Sequence, residues 1–107
     1  MKIEDIFKLL KTTGLEVAYN SFPDSNCPTP PFIVWRCGEQ DNFFADNRTY
    51  QETQTIYIEL ITIRKDLESE RKIKKVLKDF SWTSYEFQDE KEDYFRKIYE
   101  MEVIIND

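Results

Sequence analysis

The sequence predicts an α+β fold: a two-layer sandwich with two helices on one face of a mostly antiparallel sheet of about five strands, in the order αβββαββ. Three observations carry that prediction. Two stretches place apolar residues at helical spacing, Ile3, Ile6, Phe7 and Leu10 in one and Leu67, Ile73, Val76, Leu77 and Phe80 in the other. Around them run alternating apolar stretches bounded by turn residues, the pattern of strands. The longest of these, Tyr50 to Arg64 (YQETQTIYIELITIR), contains neither Gly nor Pro. Its Ile56, Ile58 and Leu60 fall on one side and Tyr57, Glu59, Ile61 and Ile63 on the other. Apolar groups on both sides make it the central strand of a sheet covered at least partly on both faces, and Ile56, Ile58 and Leu60 the better side for the helices.

In chain order, residues 2–13 read as an amphipathic helix with Glu4 and Asp5 in its first turn and Lys8 and Lys11 later, matching the helix dipole. Gly14 is placed to end it. Residues 15–22 (LEVAYNSF) alternate as a first strand, with Val17 and Tyr19 on one side. Residues 23–31 hold all four prolines and make an extended or turning connection, because proline removes a ladder donor. A second strand at 32–37 (FIVWRC) leads into a polar loop, residues 38–47 (GEQDNFFADN). After the central strand, Asp66 is a natural N-cap for a helix over 67–79, whose remaining surface is made basic by Arg71, Lys72, Lys74, Lys75 and Lys78. A strand at 81–88, an acidic turn at 89–93 and a last strand at 94–105 complete the chain.

A chain of 107 residues is a single domain, 1–107, by length, and 40% hydrophobic content is too apolar for disorder. No apolar run is long enough to cross a bilayer, and the first residues lack the order of a signal peptide, so a soluble protein made and used in a cytoplasm is expected. The net charge of −6 argues against a protein that grips nucleic acid. That charge is uneven: residues 47–80 carry 8 cations and 6 anions, whereas residues 81–107 carry 3 and 8. A basic middle and acidic ends permit complementary faces between copies. Cys27 and Cys37 are expected to be ordinary thiols, since two cysteines without any His do not supply a four-ligand zinc site.

Catalytic apparatus is missing from the sequence. There is no His, and Gly14 and Gly38 are the only glycines, too few for a phosphate-cradling loop. The acidic run Asp89, Glu90, Glu92 and Asp93 lacks the spacing and turn glycine of a calcium loop, and Cys37 has no visible activating base. The expectation is a protein that is not an enzyme and has neither metal nor cofactor. Three surface features remain. Phe43 and Phe44 stand among polar residues, either tucked under their loop or serving as a protein-contact anchor. The basic face Arg71 to Lys78 is either solvated or a partner-binding face, and the acidic segment Glu86 to Asp93 either serves solubility and edge protection or meets a partner.

The stretches MKIEDIFKLLKTTGLEVAYNSFP, PPFIVWR and NFFADNRTYQETQTIYIELITIRKD, with the element order, resemble the small tail-completion or tail-terminator proteins of long-tailed bacteriophages and prophages. The resemblance runs over essentially the whole chain and rests on structural signatures, with no catalytic ones. It implies a small α/β unit that forms a ring, commonly hexameric, at the head-proximal end of the tail tube. Such a ring stops tube polymerisation and presents a surface to head-completion proteins. The implied partners are copies of itself, the tail-tube protein and the head-completion protein, with DNA as passing cargo and no membrane. The implied locations are the host bacterial cytoplasm during assembly and the tail or neck of the virion. On this reading Phe43, Phe44, Asp46, Arg48 and Tyr50 are expected to touch a neighbour or the tail tube, and Arg71, Lys75 and Lys78 an acidic neighbouring surface. The alternative is a small acidic protein-binding or regulatory module carried by a prophage.

Overall fold

The computed structural model describes residues 2–45, 48–89 and 93–105. The elements are α1 (Ile3–Lys11), β1 (Glu16–Tyr19), a 3-10 turn (Asp24–Asn26), β2 (Phe32–Ala45), β3 (Arg48–Thr62), α2 (Leu67–Val76), β4 (Trp82–Asp89) and β5 (Tyr94–Ile105). The five strands make one sheet in the order β1-β2-β3-β5-β4. Only β1 and β2 run parallel; every other neighbour pair is antiparallel. The expected α+β architecture and element order therefore hold.

Residue spacing decides which face the helices cover. The register sets Trp35 opposite Ile58, Ile33 opposite Leu60, and Met101 and Tyr99 opposite Ile56 and Ile58. These side chains, with Val17, form one buried cluster with Ile6 and Leu10 of α1 and Ile73 and Leu77 of α2. Ile56, Ile58 and Leu60 thus lie under the helices, as their alternation suggested. Each fully buried aliphatic side chain of this kind contributes about 1.5–3 kcal/mol relative to exposure, before the entropy of ordering is charged against it.

Local chemistry sets the helix ends. Gly14, at φ +83°, takes the left-handed conformation that closes α1, and its N–H donates to the Lys11 carbonyl at 3.1 Å. Asp66 caps α2 as expected: its side chain accepts from the Ser69 N–H at 3.1 Å and from the Ser69 hydroxyl at 2.8 Å. Leu67, expected in the buried stripe of α2, is instead 56% exposed, and the inward positions of that first turn are taken by Ser69 and Glu70. Side-chain spacing alone did not distinguish these sites, because a buried Glu breaks the apolar pattern.

The larger correction concerns residues 38–47. The polar loop expected there is strand up to Ala45, paired with β3 from Gln40↔Gln54 to Ala45↔Arg48. The partner strand supplies the backbone hydrogen bonds that hold this polar stretch extended without an apolar pattern. β3, at 15 residues, spans ~50 Å at ~3.3 Å per residue. That length accounts for the 51 Å long axis of a molecule only 29 × 26 Å across. The first strand is shorter than expected, ending at Tyr19 because Asn20 adopts φ 68° and turns the chain.

Candidate functional site

The arm is anchored by polar contacts where it leaves the core. The ladder shifts register between Cys37 and Gln40, a bulge that increases local twist. At that point the buried Gln54 side chain donates through Nε2 to the Gly38 carbonyl at 2.9 Å and to the Thr55 carbonyl at 3.0 Å. The Tyr57 ring lies against Gly38, in space that any Cβ there would occupy. The Arg36 guanidinium lies 4.4 Å from the centre of the same ring. Gly38 is therefore part of the arm's root, where the sequence pattern suggested the opening of a loop.

The aromatic candidates converge on the far half of this arm. Phe43 pairs with Gln51 and Phe44 with Thr49, which leaves Tyr50 as the extra residue of a second register shift. Arg48 pairs with Ala45. Asp46, the fifth candidate, lies outside the described residues. Arg71, Lys75 and Lys78 occupy a separate surface: all three are exposed, Arg71 and Lys75 on the side of α2 away from buried Ile73, and Lys78 in the turn just past the helix, which ends at Val76 and not at 79 as expected. The structure brings the arm residues together and leaves the basic stripe apart from them.

The acidic segment that begins at Glu86 is less free than its sequence implied. Glu86 meets Lys65 at 2.6 Å and Lys97 at 3.7 Å, while Glu70, 3% exposed, meets the same two lysines at 2.9 and 3.0 Å. These four groups tie α2 to the hairpin of β4 and β5. The Lys65 ammonium holds the Glu86 carboxyl below the usual carboxylate range, and burial, with help from Glu70 and Glu86, pushes the Tyr99 hydroxyl far up. Glu90 and Glu92, also part of the acidic run, lie outside the described residues.

Sequence reasoning did not single out the sheet face opposite the helices. Phe32, Ile61 and Ile98 are buried there, whereas Tyr85 and Phe87 at the β4 edge are 50% and 43% exposed. Phe22, from the connection between β1 and β2, packs edge-on against Phe32 with ring centres 5.3 Å apart. The groove beside it, about 530 Å³, is lined by Phe22, Phe32, Val34, Ile61, Glu59 and Arg96, with Arg96 and Glu59 paired at 2.7 Å. The signal available in the sequence was the alternation of Tyr85 and Phe87 with polar residues. Cys27 and Cys37 are free thiols. Among the described residues no group of three or more His, Cys, Asp or Glu side chains is placed to hold a metal ion, and no helix is long and apolar enough to cross a membrane.

What the site offers is protein surface. No family model matches the sequence, and no curated protein matches it. Among solved structures, the chain is similar to one from the virion of a native gene transfer agent (GTA) particle, with a TM-score of 0.53. This chain shares its fold with a virion chain. The alignment covers 90% of this chain and 84% of that one at 15% sequence identity, so the likeness is one of architecture.

Proposed function

We propose that this protein is a non-enzymatic structural component of a phage-like particle, forming a ring at the head-proximal end of the tail tube that ends tail polymerisation and supports head–tail joining. The observation that carries the reading is the fold shared with a virion chain over 90% of this chain. The arm supports it, because a two-stranded ribbon reaching past the core suits contact with neighbours more than stability of its own domain. Phe43, Phe44, Asp46, Arg48 and Tyr50 meet a neighbouring copy or the tail-tube protein, and Arg71, Lys75 and Lys78 meet an acidic surface. The head-completion protein docks on the finished ring, and DNA passes through as cargo past a protein of net charge −6 that does not grip it.

Replacing Phe43 and Phe44 together by Ala in the phage that encodes the protein tests this. Electron microscopy is expected to show tails of abnormal length, or tails not joined to heads, with a corresponding loss of infectious titre. Normal infectious particles from the double variant would remove the arm from the site. A gene lying between those for capsid and tail tube is the expected genomic position; an isolated early gene would count against the whole reading.

A further inference from the structure

The sheet ends in two open edges that have no covering element among the described residues. One is the outer edge of β4, whose eight residues pair only with β5 and without any register shift. The other is the outer edge of β2 beyond its start. β2 has 14 residues and β1 pairs four of them, Phe32 to Trp35, leaving ten, Arg36 to Ala45. Open edges present rows of backbone donors and acceptors, and proteins usually guard them with Lys, Pro, bulges or outward charges; β4 has no bulge, whereas the β2 edge has one between Cys37 and Gln40 and runs on from Gln40 to Ala45. β4 contains neither Lys nor Pro. The charge of Glu86 is turned to Lys65 and Lys97 and so does not guard the edge. Thr83, Ser84, Tyr85, Phe87 and Gln88 are all exposed.

We propose that copies of this chain join edge to edge, β4 of one adding antiparallel to the Arg36–Ala45 edge of β2 in the next, an interface that rests on the ring reading above and gives it a contact. Strand direction supports a second copy as the occupant. Three successive antiparallel steps, β2 to β3 to β5 to β4, make β4 antiparallel to β2 within one chain. A neighbour set beside it in the same orientation therefore presents β2 to β4 in the antiparallel sense. The two free lengths, eight residues of β4 and ten of β2 with the bulge at Cys37/Gln40 among them, are of similar size. An isologous β4-to-β4 contact would leave the longer edge open, whereas one head-to-tail operation fills both.

The register of the sheet makes such a step capable of closing. Trp82 is level with Cys37, through Met101 and Ile56, and Phe87 is level with Phe32, through Arg96 and Ile61. β4 thus lies beside the first half of β2, and the open part of β2 lies beyond it. The two midpoints are offset by about seven residues, or ~23 Å along the strands at ~3.3 Å per residue. Five strands at ~4.8 Å span ~24 Å. That offset per copy corresponds to strands tilted about 44° from the axis of a closed assembly, within the range that closed sheets adopt.

Hydrogen exchange on the full chain, from dilute solution to about 1 mM, tests the pairing alongside native mass spectrometry. As oligomers appear, amides in 82–89 and 36–45 are expected to slow together by at least about tenfold. Thr83→Lys is expected to weaken self-association at least about tenfold while the amides of β5 keep their protection, which separates a guarded edge from a misfolded chain. Slowing confined to 82–89, oligomers in which neither segment slows, or no oligomer across the range would overturn the pairing. The ring reading fails separately: protected edges in a protein missing from the head–tail joint of particles would remove that reading alone. Abnormal particles from the Phe43 and Phe44 double variant, with both edges still exchanging freely, would remove the pairing alone.

Discussion

Glu70 is 3% exposed, yet it is held between Lys65 at 2.9 Å and Lys97 at 3.0 Å. Removing its charge leaves Lys97, only 13% exposed, with Glu86 at 3.7 Å as its remaining acidic neighbour in the cluster. Breaking a buried pair by deleting one partner costs several kcal/mol, chiefly because the other charge stays desolvated. Glu70→Ala should therefore lower unfolding stability by about 3 kcal/mol in urea titration, near the low end of that range because Glu86 is within reach. A loss below about 1 kcal/mol would mean that the cluster is effectively solvated. Gly38 is the other residue whose identity is dictated by contact, since the Tyr57 ring occupies the space a Cβ would need.

At the scale of the element, α2 starts where Asp66 accepts from the Ser69 backbone N–H, and that bond holds the Asp66 carboxyl below the usual carboxylate range. A depressed folded value means that the cap's contribution is fully present above the ordinary carboxyl range and is lost as pH falls through the lower folded value. Asp66→Ala should cost about 0.5–2 kcal/mol at neutral pH. Its deficit relative to wild type should shrink on acidification, as followed by thermal unfolding at a series of pH values. An unchanged deficit down to strong acid would show that the cap acts without its charge. The arm is an element of another kind. Its ladder runs from Gln40 to Ala45 with a register shift at Phe43/Phe44, and that shift and the one at Cys37/Gln40 mark where twist is introduced.

At the scale of the molecule, the described members of the buried cluster come from α1, β1, β2, β3, β5 and the α2 segment, with Trp82 of β4 packed against them. Replacing residues 42–52 by Asn-Gly would close the hairpin at the Asp41↔Thr53 pair with a two-residue turn. The shortened protein should unfold cooperatively within about 1 kcal/mol of wild type, because every described core residue is kept and the loop is shorter. A collapse of stability would show that the arm belongs to the folding unit. The same variant keeps β4 intact and removes four of the ten residues of its proposed pairing edge, so its self-association should weaken.

The sequence by itself determined the elements whose signals are local. Helical spacing located α1 and α2, Asp66 and Gly14 marked their proper ends, and alternation in Ile56 to Ile63 named both the central strand and its buried side. Period and capping survive without tertiary contacts because they act within a few residues. The tertiary structure decided the rest. It made a strand of residues 38–45, since only the partner strand supplies hydrogen bonds that make a polar stretch extended. It also exposed Leu67 and buried Glu70, because Lys65 and Lys97 arrive from elsewhere in the chain. The open edges of β2 and β4 belong to the same class: a strand's neighbours, present or missing, are settled by the order of the sheet.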